Sequence, residues 1–165
     1  MSITFKKITP KDLPFVLNLF KETADKIRKK KVDHWQYWND PPLDKIQWVK
    51  EGIENGEYNY IYISDEQVGM IRILNEDLLY WGQQHERARY IHSFVIKEQY
   101  NGKGIGDKIL QKIANEAKKD NCTYLRLDAD SRNPKLCRYY ENLGFNQVGT
   151  KEMTISIYNL YQKKL

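Results

Sequence analysis

The sequence predicts an α/β fold of the α+β kind, in which a mixed, mostly antiparallel sheet carries helices on both faces. Two observations indicate this fold. The first half contains two runs of β-favouring residues, 58–63 and 67–74, joined by the short polar turn of a β-hairpin. The second half alternates strand patterns with amphipathic helical patterns, which is typical of strand–helix–strand units. No repeat or low-complexity linker interrupts the chain, so we expect one domain over residues 1–165.

The N-terminal third is predicted to be one strand followed by two helices. Apolar and polar residues alternate over residues 3–8, and Thr9-Pro10 is a helix-start signal. The first helix buries residues at i, i+3 and i+4 spacing and ends in the basic run 28–31, which we expect to be solvated. An aromatic segment closed by prolines then precedes a second helix over residues 43–55.

The C-terminal half is predicted to contain four strands and two helices. The strands are expected at 88–96, 123–128, 145–149 and 153–161, and the helices at 105–118 and 134–143. The resulting element order mixes neighbouring antiparallel strands with crossover connections, which favours a mostly antiparallel sheet.

Composition excludes several classes of protein. A hydrophobic share of 41% is enough for a packed core, so the chain is not intrinsically disordered. No apolar run approaches the length of a membrane span and the N-terminus has no apolar signal region, so we expect a cytoplasmic protein without a membrane partner. The two cysteines, Cys122 and Cys137, lack paired metal-site spacing, so we expect free thiols and no metal.

Charge indicates the kind of ligand that the surface accommodates. The 27 basic and 22 acidic residues give a net charge of +5, which suits an anionic ligand. The basic residues do not form the dense block of a nucleic-acid-binding tail, and nucleic acid is not an expected partner.

The most informative segment is the glycine-rich turn at residues 99–106, between a predicted strand and a long predicted helix. Glycines allow a ligand to approach the backbone closely, and the helix N-terminus beyond them offers free N–H groups to a phosphate. The turn is not a dinucleotide-binding fingerprint, because Asp107 stands where the third glycine would fall. It is not a Walker A loop either, because no Gly-Lys-Ser/Thr ends it.

A second segment supplies the context for this turn. Asn133 lies seven residues before Tyr140, and Gly144-Phe145 follows. Together the two segments resemble the GNAT acetyltransferase superfamily, whose first motif is Arg/Gln-x-x-Gly-x-Gly/Ala. Gly104 and Gly106 match that motif, whereas its Arg/Gln position holds Asn101. The predicted order of strands and helices resembles that of the superfamily along essentially the whole chain.

The resemblance implies a GNAT-like fold with acetyl-CoA as cosubstrate, bound in a splay between the two central strands. Its pyrophosphate would lie on the backbone amides of the glycine turn, with Lys103 and Lys108 as supplementary cations. Because the loop binds mainly through backbone amides, Asn101 should weaken cofactor binding rather than abolish it. The implied cofactor-binding residues are Phe94, Val95, Ile96, Asn101, Gly102, Lys103, Gly104, Ile105, Gly106, Asn133 and Tyr140. Asn133 is also expected to cap the following helix.

The implied reaction is acetyl transfer to a primary amine, which needs a base for the ammonium and an acid for the leaving thiolate. Tyr140 is the expected acid, although a tyrosine there also suits packing of the helix against the sheet. His92, Asp128 or a water relay are the alternatives for the base. A backbone N–H of Val95 or Ile96 is the expected donor to the thioester oxygen.

The acceptor is less constrained. Trp35, Trp38 and Trp81, with neighbouring His34 and Tyr37, come from segments that in this superfamily flank the substrate cleft, and aromatic walls suit an amine. The same residues equally suit a buried lid. We expect a small-molecule amine, with a peptide or protein acceptor, or a non-catalytic CoA-binding regulatory module, as alternatives. The C-terminal strand offers an edge for a homodimer.

Overall fold

The computed structural model describes residues 1–165, which form seven strands and four helices. The strands are β1 (Ile3–Lys7), β2 (Tyr58–Ile63), β3 (Glu66–Leu74), β4 (Ala88–Ile96), β5 (Tyr124–Asp130), β6 (Asn146–Glu152) and β7 (Ile157–Lys164). The helices are α1 (Leu13–Lys29), α2 (Leu43–Glu54), α3 (Ile105–Lys119) and α4 (Pro134–Asn142). None of the helices has the length and apolar character needed to cross a bilayer.

The strands form one sheet in the order β1-β2-β3-β4-β5-β7-β6. The expectation that the C-terminal strand offers a free edge is wrong, because β7 pairs with β5 on one side and with β6 on the other. β1 with β2, β2 with β3, β5 with β7 and β6 with β7 are antiparallel, whereas β4 and β5 are parallel. The mixed, mostly antiparallel sheet predicted from the sequence is therefore confirmed. The chain makes two compact units, residues 1–72 with 93–97 and residues 73–92 with 98–165.

The first unit packs α1 and α2 around an aromatic and aliphatic core. Thr9 and Asp12 form a capping box before α1, because the Thr9 backbone N–H donates to the Asp12 carboxylate at 2.9 Å. Phe20 of α1 is fully buried and stacks on Trp38 with 4.1 Å between ring centroids. The rest of this core includes Val16, Leu19, Val49, Ile53, Tyr58 and Met70.

The second unit buries one face of α3 and both faces of β5. The buried residues of α3 recur at helical spacing, as the amphipathic sequence pattern predicted, and include Ile105, Ile109, Leu110, Ile113 and Ala117. Arg126 of β5 is only 2% exposed. Its guanidinium lies 5.0 Å from the ring centroids of both Trp81 and Tyr124 and donates to the Tyr90 hydroxyl at 3.0 Å. These contacts compensate the buried charge.

The last two strands differ most from the predicted boundaries. We expected strands at 145–149 and 153–161, whereas β6 runs on to Glu152 and β7 begins only at Ile157. The cause is a tight turn in which the backbone N–H of Met153 donates to the carbonyl of Ser156 at 2.9 Å. The apolar residues of that turn, Met153 and Ile155, alternate with polar residues and therefore favour a strand in the sequence.

Candidate functional site

The middle of β4 departs from regular strand geometry. Ser93 is buried and has a φ of 52°, in the left-handed region that non-glycine residues rarely adopt. Its hydroxyl lies 3.1 Å from the hydroxyl of Tyr58, the first residue of β2. This hydrogen bond stabilises the irregular backbone of β4. The parallel pairing of β4 with β5 runs from Ala88↔Tyr124 to Ile91↔Leu127 and ends before either strand does.

The residues after Ser93 present alternate backbone groups to β3. The Lys97 backbone N–H donates to the Val68 carbonyl at 2.8 Å. The Val95 carbonyl approaches Gly69 so closely that a Cβ at position 69 would lie 2.0 Å from the carbonyl oxygen. Because successive residues of a strand direct their backbone polar groups to opposite sides, we infer that the N–H of Ile96 faces away from β3. Of the two expected backbone donors, Ile96 is therefore the one on the side away from β3.

The glycine turn before α3 places two glycines in the left-handed backbone region. Gly102 and Gly104 have φ values of 73° and 67°, and a Cβ at either position would meet no other atom within 4 Å. Gly104 is the N-cap of α3, and no side chain caps the first N–H groups of the helix. The side chains of Asn101 and Lys103 are exposed beside these amides. Free amides and open space above the glycines suit an anionic group.

Two motif residues lie on α4. Asn133 caps the helix as predicted, because its Oδ1 accepts a hydrogen bond from the Leu136 backbone N–H at 3.2 Å. Tyr140 is 7% exposed and packs edge-on against Phe145. Burial, and after it the negative charge of Asp128, raises the pKa of the Tyr140 hydroxyl well above its ordinary value. Tyr140 is thus a protonated donor within electrostatic reach of Asp128.

His92 lies between two buried carboxylates. Its Nε2 is 2.6 Å from Asp77 Oδ2, and its Nδ1 is 3.1 Å from Asp128 Oδ2. All three side chains are less than a tenth exposed. His92 and Asp128 were both predicted from the sequence and are brought together here. Asp77 was missed, because it lies in the irregular segment between β3 and β4, where no periodicity or motif marks it.

Burial perturbs the carboxyl group of Asp128. Burial raises its pKa to about 6, with further increases from the charges of Asp77 and Asp130 and an opposing effect from His92. Its Oδ2 is buried and accepts no hydrogen bond, although Nδ1 of His92 lies 3.1 Å away. An unpaired buried carboxylate oxygen is costly and marks a position where a proton or a cationic ligand would be stabilised.

The same three residues offer the donor set of a small metal site. Their ligand atoms, a histidine nitrogen and two carboxylate oxygens, lie within 4.8 Å of one another. However, the two carboxylates face different nitrogens of the ring. A single cation would require the ring or one carboxylate to turn, whereas proton transfer uses the arrangement as it stands.

The three tryptophans predicted at the acceptor site each have packing partners. Trp38 is 3% exposed and belongs to the core of the first unit. Trp35 contacts Phe20 edge-on, with 5.3 Å between ring centroids. Trp81 packs on Tyr90 and Arg126 in the second unit. These contacts favour a packing role for Trp38, and a substrate role for the three tryptophans stays a prediction.

Comparison with known proteins identifies the family. The model of the acetyltransferase (GNAT) family matches residues 20–145. The chain belongs to the GNAT family. It is 24% identical over 163 residues to the uncharacterised N-acetyltransferase YesJ of Bacillus subtilis (strain 168), covering 93% of this chain and 86% of that protein. The chain is therefore an acyltransferase of the N-acetyltransferase class.

Solved GNAT structures share the fold over nearly the whole chain. A GNAT family acetyltransferase from Streptococcus agalactiae 2603 superposes with a TM-score of 0.78 at 18% identity, covering 99% of this chain and 95% of that one. The aminoglycoside acetyltransferase AAC(6')-Ib, in complex with coenzyme A and kanamycin, superposes with a TM-score of 0.70 at 17% identity and the same coverage. At these identities the likeness shows the fold.

Proposed function

We propose that this GNAT protein transfers the acetyl group of acetyl-CoA to a primary amine of a small molecule, by direct attack in a ternary complex. The observation that carries the proposal is the buried His92–Asp128 pair at 3.1 Å, within electrostatic reach of the protonated Tyr140 hydroxyl. A proton acceptor and a proton donor in one buried cluster are what amine acetylation requires. A GNAT structure of the same fold with coenzyme A and an aminoglycoside supports the choice of cosubstrate and acceptor class.

In this proposal acetyl-CoA is held mainly by backbone groups. The pyrophosphate binds the free amides around Gly102 and Gly104, with Asn101, Lys103, Ile105, Gly106 and Lys108 beside it. The pantetheine chain follows the last residues of β4, Phe94, Val95 and Ile96. The N–H of Ile96 faces away from β3 and donates to the thioester oxygen as negative charge develops there. Asn133 caps α4 and contacts the cofactor at the start of that helix.

The chemical step uses the buried cluster twice, first as a proton acceptor and then as a proton donor. The His92–Asp128 pair accepts a proton from the substrate ammonium, and the free amine then attacks the carbonyl carbon. The new C–N bond forms as the C–S bond breaks, and the electron pair of that bond remains on sulfur. Tyr140 donates its proton to the departing thiolate, and the resulting tyrosinate takes up the second proton, which the acetylated nitrogen loses. The products are the neutral amide and the CoA thiol, and the His92–Asp128 pair returns its proton to solvent. No covalent enzyme intermediate is needed.

The first experiment is calorimetric titration of the protein with acetyl-CoA, with desulfo-CoA and ATP as controls for the thioester and for general phosphate attraction. We expect saturable binding that prefers acetyl-CoA, followed by CoA thiol release when a panel of small amines is added. Absence of acetyl-CoA binding would contradict the proposal and favour a non-catalytic module. Thiol release with peptide amines alone would replace the small-molecule acceptor by a peptide.

Tyr140→Phe tests the acid. We expect kcat to fall roughly 10²- to 10⁴-fold with little change in acetyl-CoA affinity, because the variant loses the proton donor but keeps the aromatic ring. The matched control is Tyr139→Phe, since Tyr139 is the adjacent tyrosine and its hydroxyl donates to Asp107 at 2.7 Å. Steady-state kinetics of both variants check this expectation, and an unchanged rate in Tyr140→Phe would remove Tyr140 from the mechanism.

A further inference from the structure

We propose that Asp77 is a positioning residue for acetyl transfer, whose carboxylate holds Nε2 of His92 so that Nδ1 faces Asp128. The irregular segment between β3 and β4 thereby supplies a component of the proton-accepting group. This inference rests on the function proposed above and extends it to a residue outside the motifs of the sequence.

Asp77 is fixed by its own turn before it meets His92. Its Oδ1 accepts from the Tyr80 backbone N–H at 3.1 Å, and its carbonyl accepts from the Trp81 backbone N–H at 2.9 Å. The other carboxylate oxygen, Oδ2, points at His92 Nε2 at 2.6 Å. The side chain is 4% exposed, so no solvent competes for this short contact. Such a carboxylate is ordered in advance and orients the imidazole.

The contact with Asp77 sets the tautomer of the imidazole. An ionised carboxylate only accepts hydrogen bonds, so Nε2 of His92 carries the proton that faces Asp77. In the neutral ring Nδ1 then has a lone pair directed toward Asp128 Oδ2, 3.1 Å away. Between Nδ1 of His92 and Oδ2 of Asp128 there is therefore either one shared proton or no proton. The pair without that proton accepts one from a substrate ammonium at Asp128 Oδ2, which has no other partner.

Without Asp77 the imidazole loses this preference. The proton of a neutral ring is then free to move to Nδ1, where it would hydrogen-bond Asp128 and occupy the lone pair that the mechanism needs. The ionisable groups facing the ring are Asp77 from the connecting segment, Asp128 from β5 and Tyr80, whose ring centroid lies 4.6 Å away. Asp130 and Tyr140 interact electrostatically with Asp128. Removing the charge of Asp77 therefore lowers the pKa of the pair.

Asp77→Asn separates positioning from a merely structural role. The asparagine Oδ1 still accepts from the Tyr80 N–H, so the turn is preserved, but the charge at His92 is lost. We expect kcat to fall about 10- to 100-fold with an unchanged KM for acetyl-CoA, and the acid limb of the kcat/KM profile to move to lower pH. Asp77→Glu, which keeps the charge, should recover part of the rate. The matched control is Glu76→Gln, which removes the neighbouring exposed carboxylate.

A second readout does not depend on activity. In protein labelled with ¹⁵N-histidine, two-bond ¹H–¹⁵N spectra distinguish the Nε2–H tautomer from the Nδ1–H tautomer, and His92→Gln assigns the His92 signals among the three histidines. We expect the Nε2–H form in the unaltered protein and a changed tautomer or titration midpoint in Asp77→Asn. Unchanged His92 signals together with an unmoved pH profile would overturn the inference. If the His92 signals change in Asp77→Asn but the unaltered protein acetylates no amine, the result would support the positioning of His92 by Asp77 and contradict the proposed function.

Discussion

At the scale of single residues, Asp128 combines the proposed chemistry with a cost in stability. Its pKa rises from 3.8 to about 6 on burial. A carboxyl whose folded pKa is raised favours the folded state fully below its unfolded pKa, and that contribution is lost as pH rises through the folded pKa. The ionised Asp128 therefore opposes folding above about pH 6. Functional groups often sit at such destabilising positions.

This cost can be measured with Asp128→Asn. We expect the variant to gain stability relative to the unaltered protein at pH 7.5 but not at pH 4, by at most about 3 kcal/mol, while losing acetyl transfer. Denaturant unfolding at the two pH values checks the expectation. Asp65→Asn is a suitable control, because Asp65 is exposed in the turn between β2 and β3. A stability difference independent of pH would contradict this account of Asp128.

The same residues show what sequence reasoning can and cannot reach. Tyr140, Asn133 and the glycines were found because their types recur at fixed spacing in a motif, and His92 and Asp128 because they lie on strands that lead to the motif. Asp77 had no such signal, because its partner is 15 residues away and only the folded connection joins them. The left-handed backbone of Ser93 was also invisible, since a serine within a strand pattern gives no signal for a conformation that non-glycine residues rarely adopt.

At the scale of elements, the turn before α3 carries the proposed binding of the acetyl-CoA pyrophosphate. We expect Gly104→Ala to weaken acetyl-CoA binding at least tenfold, because a Cβ there would stand in the open space above the free amides. The positive φ of Gly104 also carries a strain cost of about 1 kcal/mol for alanine. Gly56→Ala is the matched control, because Gly56 has a φ of 69° and equally open surroundings in the turn before β2.

Thermal melts and calorimetry of the two variants separate strain from binding. Both should lose similar stability, and only Gly104→Ala should lose affinity. Equal acetyl-CoA affinity in the two variants would show that the turn does not contact the cofactor.

Most element boundaries followed from periodicity. The predicted helices at 105–118 and 134–143 differ from α3 and α4 by a single residue at one end. The turn at residues 153–156 was the exception, because Met153 and Ile155 continue an apolar pattern while the backbone reverses. A pattern of apolar side chains indicates which residues are buried, and it does not reveal a tight turn that contains apolar residues.

At the scale of the whole molecule, the excess of basic over acidic residues should assist an anionic cosubstrate. With a net charge of +5, we expect acetyl-CoA affinity to fall about three- to tenfold when the salt concentration rises from about 50 to 300 mM. S-acetylpantetheine, which lacks the nucleotide phosphates, is the control and should bind with little salt dependence. Calorimetry at the two salt concentrations checks this, and equal salt dependence for both ligands would exclude phosphate binding as the source of the effect.

The irregular backbone of Ser93 also limits how this protein can be redesigned. Strand propensity would place valine or isoleucine throughout β4. At position 93 valine or isoleucine would be strained by the φ of 52° and would remove the hydroxyl group that contacts the Tyr58 hydroxyl. Optimising the sequence for a regular strand would thus remove the irregular backbone beside His92. Thermostabilisation of this enzyme should therefore keep Tyr58 and Ser93 fixed as a pair.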